Sequence, residues 1–190
     1  MPMTQPKRIY LARHKLMDSC AAVTVHLIRI ALAGLIGFSG GPAMASGDTA
    51  DGAPFADTWE TLLTEARAEA RRCGSDTYAE SSPITWNARL RAAAQAHSED
   101  MTHMGRISHE GSEGGVLADR LAAAGYEASA WAENVASGQQ NATTVVAAWL
   151  GSPGHCANIM SADYTEFGVG IDRDKSGKRY WTLVLAAPRH

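Results

Sequence analysis

Residues 165–187, "TEFGVGIDRDKSGKRYWTLVLAA", decide what kind of fold this chain adopts. In Thr165–Arg173 the apolar residues Phe167, Val169 and Ile171 alternate with Glu166, Gly168 and Gly170, the period of two that belongs to a strand with one buried face. "DKSGK" (174–178) is a turn, and "RYWTLVLAA" (179–187) is a second extended run, so the two strands form a β-hairpin. Glu166 therefore faces away from the Phe167–Val169–Ile171 side. Everything before this hairpin with a clear period is helical. A chain that puts its helices first and its hairpin last is α+β, with helices packed on a small antiparallel sheet.

The helical periods are these. "FADTWETLLTEARAEARRCG" (55–74) carries an apolar stripe of Leu62, Leu63, Ala66 and Ala70, a cap at Asp57 or Thr58, and Arg71-Arg72 at its end before Gly74. Asn87 caps a longer helix in which Leu90, Ala94, His97, Met101 and Met104 share one face, and Gly105 stops it. His97 on that apolar face reads as a hydrogen-bonded core histidine. "VLADRLAAAGY" (116–126) is a short helix closed by Gly125, and "NATTVVAAWL" (141–150) is another, capped by Asn141 and stopped by Gly151 and Pro153. "SDTYAESSPITW" (75–86), "RISHEGSEGG" (106–115), "WAENVASGQQ" (131–140) and the "SPGHC" stretch (152–156) read as irregular connections.

The N-terminus has a different character. Lys7, Arg8, Arg13 and Lys15 precede the apolar run Ile30–Phe38, and Ala43-Met44-Ala45 offers a small-residue cleavage site before Ser46. Basic, apolar, small is the order of a secretory signal peptide. The run is shorter than the about 20 residues that span a bilayer. Residues 1–45 are thus a signal peptide, with an uncleaved anchor as the alternative, 46–54 a spacer and 55–190 one domain. The signal would take five basic residues and one acidic residue with it, leaving twelve against nineteen, a net charge of −7. So acidic a domain is a poor partner for nucleic acid or an anionic membrane.

Cys20 leaves with the signal, and the exported part keeps Cys73 and Cys156. An exported pair in an oxidising compartment forms a disulfide, two free thiols being the alternative. Closing a loop of roughly 80 residues stabilises by about 4 kcal/mol in the chain-entropy account.

Known catalytic strings are missing from the exported part: there is no G-x-S-x-G elbow, P-loop or dinucleotide fingerprint. "HEGSE" starts like a helical zinc-protease motif but ends in Glu113 where that motif needs histidine. What remains is a set of ionisable residues on connecting segments: His109, Glu133, His155 and Glu166. Two imidazoles and two carboxylates can hold a divalent metal such as zinc, or form a hydrogen-bonded network without one, or be unrelated surface groups. Spacing does not choose among these.

"TWNARLRAAAQAHSEDM", "SHEG", "AENVASGQ", "VVAAWLGSPGHCANIM", "YTEFGVG" and "YWTLVLA", in that order, resemble bacterial members of the cysteine-rich secretory protein, antigen 5 and pathogenesis-related 1 superfamily, the CAP or SCP-like domains. The likeness runs from about Trp59 to the end. It implies a three-layer α-β-α sandwich with an open cleft whose two His and two Glu bind a divalent cation. His109 and Glu133 match the most widespread pair; His155 and Glu166 match the bacterial pattern. It also implies pairing of Cys73 with Cys156. Ala132 departs from the family's glycine before Glu-Asn, a strain on the Glu133 loop if that glycine has positive φ. Thr64 stands where the family often has asparagine. The function implied is a secreted, non-enzymatic domain binding a small-molecule, lipid or protein ligand outside the cytoplasm. A metal-dependent hydrolase with Glu133 or Glu166 as base, and a metal-free structural network, are the alternatives.

Overall fold

A computed structural model describes residues 53–190. The signal reading for residues 1–45 and most of the spacer lie outside them. The element order is α1 (Ala53–Arg67), β1 (Arg71–Cys73), β2 (Asp76–Tyr78), β3 (Thr85–Trp86), α2 (Ala88–Met104), α3 (Leu117–Ala123), β4 (Ala128–Ser137), α4 (Ala142–Leu150), α5 (Pro153–Met160), β5 (Glu166–Arg173) and β6 (Arg179–Pro188). The C-terminal hairpin forms as expected, with Phe167 opposite Leu185 and Ile171 opposite Trp181. It is the centre of a four-stranded sheet of order β3-β5-β6-β4.

Strand alternation divides the core in two. One face carries Phe167, Val169, Trp181, Leu183 and Leu185 into a core with Trp59 and Leu63 of α1, Val145 and Trp149 of α4 and Ile159 of α5. The other carries Val184 and Ala186 into a core with Leu90, Ala93 and Ala94 of α2 and Leu117 and Leu121 of α3. Helices on both faces make an α-β-α sandwich. Among the described residues no helix is long and apolar enough to cross a membrane.

On the second face the positions alternating with Phe167, Val169 and Ile171 include Gly168 and Gly170. A Cβ at Gly168 would overlap the Arg91 amide nitrogen and the Leu90 carbonyl carbon, and one at Gly170 would overlap the Ala94 carbonyl. The backbone of α2 therefore lies directly on β5. Asn87 caps α2 by accepting from the Arg89 and Leu90 amides, as its position before the apolar stripe predicts.

Four expectations are corrected. The first helix begins at Ala53, inside the expected spacer, and ends at Arg67 rather than running to Gly74. Gly74, at φ +66°, turns the chain into a tight hairpin in which Arg72 pairs with Thr77. Arg71 and Arg72, expected at the helix end, both lie in β1 instead. Arg67 is buried and donates to the carbonyls of Ser82, Ile159, Ser161 and Tyr164, three of them at 2.8 Å and Tyr164 at 3.1 Å. The C-terminal carbonyls of α5 supply the negative potential that a buried guanidinium needs.

Second, "SPGHC" is not a connection but the start of α5, with Ser152 as N-cap and Pro153 in the first turn, where a missing amide costs nothing. Third, residues 131–137 continue a regular strand, β4, antiparallel to β6 from Ala130–Ala187 to Ser137–Tyr180. The alternating small residues hid its period. Ala132 sits in that strand opposite Leu185, and no non-glycine among the described residues has positive φ, so the anticipated strain is absent. Fourth, the sheet is mixed: the two residues of β3 pair parallel to β5.

As the edge strand, β4 has carbonyls that β6 cannot reach. Trp149 Nε1, Asn158 Nδ2 and the Tyr164 hydroxyl donate to the carbonyls of Val135, Glu133 and Trp131, at 3.3, 3.5 and 3.4 Å. Side chains from the α4–α5 layer thus cover an edge that would otherwise invite another strand.

The Cys73–Cys156 disulfide, expected from the sequence, is present and closes a separation of 83 residues. It joins the β1–β2 hairpin to α5. Reduction or Cys73→Ser should destabilise by about 4 kcal/mol, read as a lowered denaturant midpoint; two reactive thiols in the native protein would contradict the bond. Gly168→Ala should cost more than about 3 kcal/mol, since the obstacle is backbone rather than a movable side chain. A Gly168→Ala protein with an unchanged midpoint would show that α2 can move off the sheet.

Candidate functional site

Glu133 lies in the middle of β4, on the α2–α3 face of the sheet, with its side chain only 4% exposed. Burying a carboxylate is costly unless its oxygens are met by donors or cations. Here both are met. Oε1 accepts from Nδ1 of His109 at 2.9 Å, and Oε2 accepts from Nη2 of Arg120 at 2.6 Å. Arg120 projects from α3, and its Nη1 and Nη2 also reach the Gly115 carbonyl at 3.3 Å and the His109 carbonyl at 3.5 Å. The guanidinium thus joins α3, the 106–116 loop and the buried carboxylate.

His97 is fully buried on α2, as its place on the apolar stripe predicted. Its Nε2 lies 2.7 Å from the Ser108 carbonyl, which can only accept, so Nε2 carries the hydrogen. The same nitrogen is 3.7 Å from Glu133 Oε1. His97 therefore buttresses the residue before His109 and keeps the loop over the carboxylate. Asp100, one turn further along α2, accepts from the Ser112 amide at 2.7 Å and ties down the far side of the same loop.

His109 is tethered at Nδ1, yet its side chain is 61% exposed. A carboxylate accepting at Nδ1 places that ring hydrogen and leaves Nε2 facing outward as a lone-pair donor in the neutral ring. His155 approaches from the opposite helical layer, in the first turn of α5. Asn134, buried next to Glu133, donates to the His155 carbonyl at 3.0 Å and accepts from Asn158 at 2.8 Å. Those amides set α5, with His155 in its first turn, against β4.

Glu166 does not join them. Its Oε2 accepts from the Tyr126 hydroxyl at 2.6 Å and from Asn87 Nδ2 at 3.1 Å. Glu166 stands opposite Ala186 and Ala186 opposite Trp131, so two strand spacings and two residues separate it from Glu133, roughly 12 Å between Cα atoms. It links β5 to the α2 cap and to the segment after α3.

The four expected donors were tested as a cation site against these contacts. Glu133 has both oxygens engaged, one by a guanidinium, and Glu166 is held elsewhere. Among the described residues no group of three or more His, Cys, Asp or Glu side chains is arranged to hold a metal ion. The four-ligand set does not fit. Glu133 stands behind the His109 imidazole, in the orienting position that carboxylates take behind ligating imidazoles, and His155 lies in the first turn of α5.

Beside this cluster is a concavity of about 540 Å³ bordered by His109, Val116, Leu117, Ala118, Trp131 and Glu133. Trp131 is 45% exposed, and Val116 is also open to solvent. The cleft has a polar end and an apolar wall. Sequence reading missed Arg120, Asn134 and Tyr126. Arg120 had one available signal: it lies three residues after Leu117 and one before Leu121, beside the buried face of a helix, where a guanidinium needs a partner.

The imidazoles differ. The hydrogen bond to Glu133 raises His109, burial lowers His97, and burial followed by His109 lowers His155. His109 thus adds stability that is complete below its unfolded value of 6.5 and lost as pH rises through its folded value. His97 has the opposite sign: its contribution is complete above 6.5 and lost as pH falls through its depressed folded value. Imidazole proton NMR should find His109 titrating highest of the three and falling in Glu133→Gln. Coincident midpoints would contradict the network.

The profile of the cysteine-rich secretory protein family, CAP, matches residues 61–185. YlbC, an uncharacterized membrane protein of Bacillus subtilis (strain 168), is 34% identical over 90 residues, 47% of this chain and 26% of that one. An extracellular protein containing an SCP domain from Bacillus anthracis str. Ames superposes with a TM-score of 0.50 at 26% identity, over 56% of this chain and 34% of that one. An outer surface protein from Borrelia burgdorferi shares the fold at TM-score 0.56 and 15% identity, over 72% and 91% of the two chains. The matches to YlbC and to the Bacillus anthracis protein span about a quarter and a third of those chains. With its sandwich of helices about a four-stranded sheet and a profile match over most of the described residues, this chain belongs to the cysteine-rich secretory protein (CAP) family.

Proposed function

We propose that this protein is a non-enzymatic binding domain working outside the cytoplasm, and that its cleft takes a divalent cation, zinc by donor chemistry, on the imidazoles of His109 and His155. The observation that carries the reading is the His109–Glu133 hydrogen bond at 2.9 Å, which commits Nδ1 to the carboxylate and leaves Nε2 as the free ring nitrogen of a largely exposed side chain. A neutral imidazole so oriented is a good nitrogen ligand for zinc. Glu133 orients the ring, and Asn134 sets the turn that carries His155. A bound ion would supply a Lewis-acidic contact for a ligand lying against Trp131 and Val116.

A hydrolase on the same cleft is the weaker reading. A general base must accept a proton from the reacting group. Glu133 already accepts from His109 and Arg120, and Glu166 accepts from Tyr126 and Asn87 outside the cluster. Neither carboxylate stands free to activate water.

An extracytoplasmic setting is supported by the signal-like N-terminus and by the Cys73–Cys156 bond, which suits an oxidising compartment. The Bacillus anthracis relative is described as extracellular and the Borrelia burgdorferi one as an outer surface protein. The ligand is a small molecule, a lipid or a protein surface that meets the apolar wall.

Zinc titration calorimetry of the full chain tests this. The wild type should bind one ion, the His109→Ala, His155→Ala double variant none, and Glu166→Gln as the wild type does. No binding by the wild type, or binding that survives loss of both histidines, would overturn the reading.

A further inference from the structure

We propose that the groove on either side of Trp131 binds a neutral oligosaccharide, the indole being the surface on which one sugar ring stacks. The inference rests on reading the cleft as a binding site and names its ligand class; it needs no bound cation. The concavity beside His109 and Glu133 has a neighbour of about 380 Å³, bordered by Ala122, Tyr126, Glu127 and Arg189. Ala118 and Trp131 border both, so the two form one groove between α3 and β4 with the indole at its middle. Trp131 is 45% exposed. Across from it α3 presents Ala118 and Ala122, one turn apart and exposed, whose short side chains leave the ring uncovered. Each concavity has the size of a small-ligand site, so a ligand of two or three rings fills the groove.

The polar groups decide the class. An exposed indole offers a broad apolar face to a flat partner such as the C–H face of a sugar ring. The hydroxyls around such a ring each donate and accept. The groove supplies both kinds of partner: Glu110 and Glu127, one on each side of Trp131, accept, and Arg189 donates. A hydrogen bond from Arg189 Nη2 to the Ala128 carbonyl at 3.2 Å fixes that guanidinium at its end of the groove. Other ligands fit less well. An extended peptide would pair its backbone with the outer side of β4, but the Trp131 and Glu133 carbonyls already accept from Tyr164 and Asn158. An alkyl chain would lie among ionisable groups on both sides of Trp131. An acidic polymer would meet a domain, residues 46–190, of net charge −7.

The experiment follows the Trp131 indole N–H and the backbone amides by nitrogen–proton correlation NMR. The full chain, with EDTA present, is titrated with maltotriose, cellotriose and triacetylchitotriose, and Trp131→Phe assigns the indole signal. At least one trisaccharide should shift that signal together with the Glu110 and Glu127 amides, and should reach saturation. Trp131→Ala, a change at an exposed position, should weaken this binding roughly tenfold or more. Unchanged binding by a folded Trp131→Ala protein would overturn the proposed site. Shifts produced by decanoate and by no saccharide would give the groove to an apolar chain and overturn the ligand class. No shift with any trisaccharide would overturn the proposal and leave the cation reading to its own zinc titration. Saccharide binding under EDTA by a protein that takes no zinc would support the proposal and overturn only that other reading.

Discussion

The close approach of α2 to β5 is the contact on which the rest depends. Two glycines, Gly168 and Gly170, let helix backbone rest on strand backbone where any other side chain would hold them apart. That depth lets Leu90, Ala93 and Ala94 pack over Val184 and Ala186 together with Leu117 and Leu121. It also fixes what lies along the helix: Asn87 at one end meets Glu166, Ser98 bonds Thr182 at 3.0 Å across the interface, and His97 arrives beneath Ser108 and beside Glu133. A helix seated further out would leave the 106–116 loop without its anchors, and His109 travels with that loop.

The second layer is fastened differently. Arg67 gathers four carbonyls from the 82 and 159–164 regions, and the disulfide ties α5 to the small hairpin after α1. Both devices act near the helix that carries His155. The candidate cleft lies beside the edge strand, bordered by His109 from the α2–α3 side and by Trp131 and Glu133 from β4, while His155 stands in the first turn of α5, where Asn134 of β4 holds its carbonyl. Its geometry is a property of the assembly rather than of any one segment. Because β4 has no strand neighbour on its outer side, side chains of Trp149, Asn158 and Tyr164 complete its hydrogen bonding, and this also locates α5.

His155 and Cys156 are adjacent in sequence but serve separate ends, and the helix they share explains how. Cys156 is fully buried in its disulfide, while His155 is only partly covered and is influenced by His109. Successive residues on a helix point about 100° apart, so one can anchor while its neighbour points elsewhere. In the same way Glu133 and Asn134, adjacent on a strand, serve opposite faces: the carboxylate meets His109 and Arg120, and the amide holds α5.

By itself the sequence determined the elements whose signal is local, the Asn87 and Asn141 caps, the α2 stripe with His97 inside it and the alternating C-terminal hairpin, and it also pointed to the pairing of Cys73 with Cys156. Local periodicity and backbone chemistry decide such features, and they are written in neighbouring residues. The end of the first helix, the helix beginning at Pro153 and the strand through Glu133 were decided by tertiary contacts, because small and polar residues there carry no period of their own. The site was divided likewise. His109, Glu133 and His155 were legible as ionisable residues in motifs, but Glu166 needed the sheet register to show that it meets Tyr126 instead. Arg120 became visible only through the structure, since which charge neutralises a buried carboxylate depends on a distance in space that no spacing along the chain encodes.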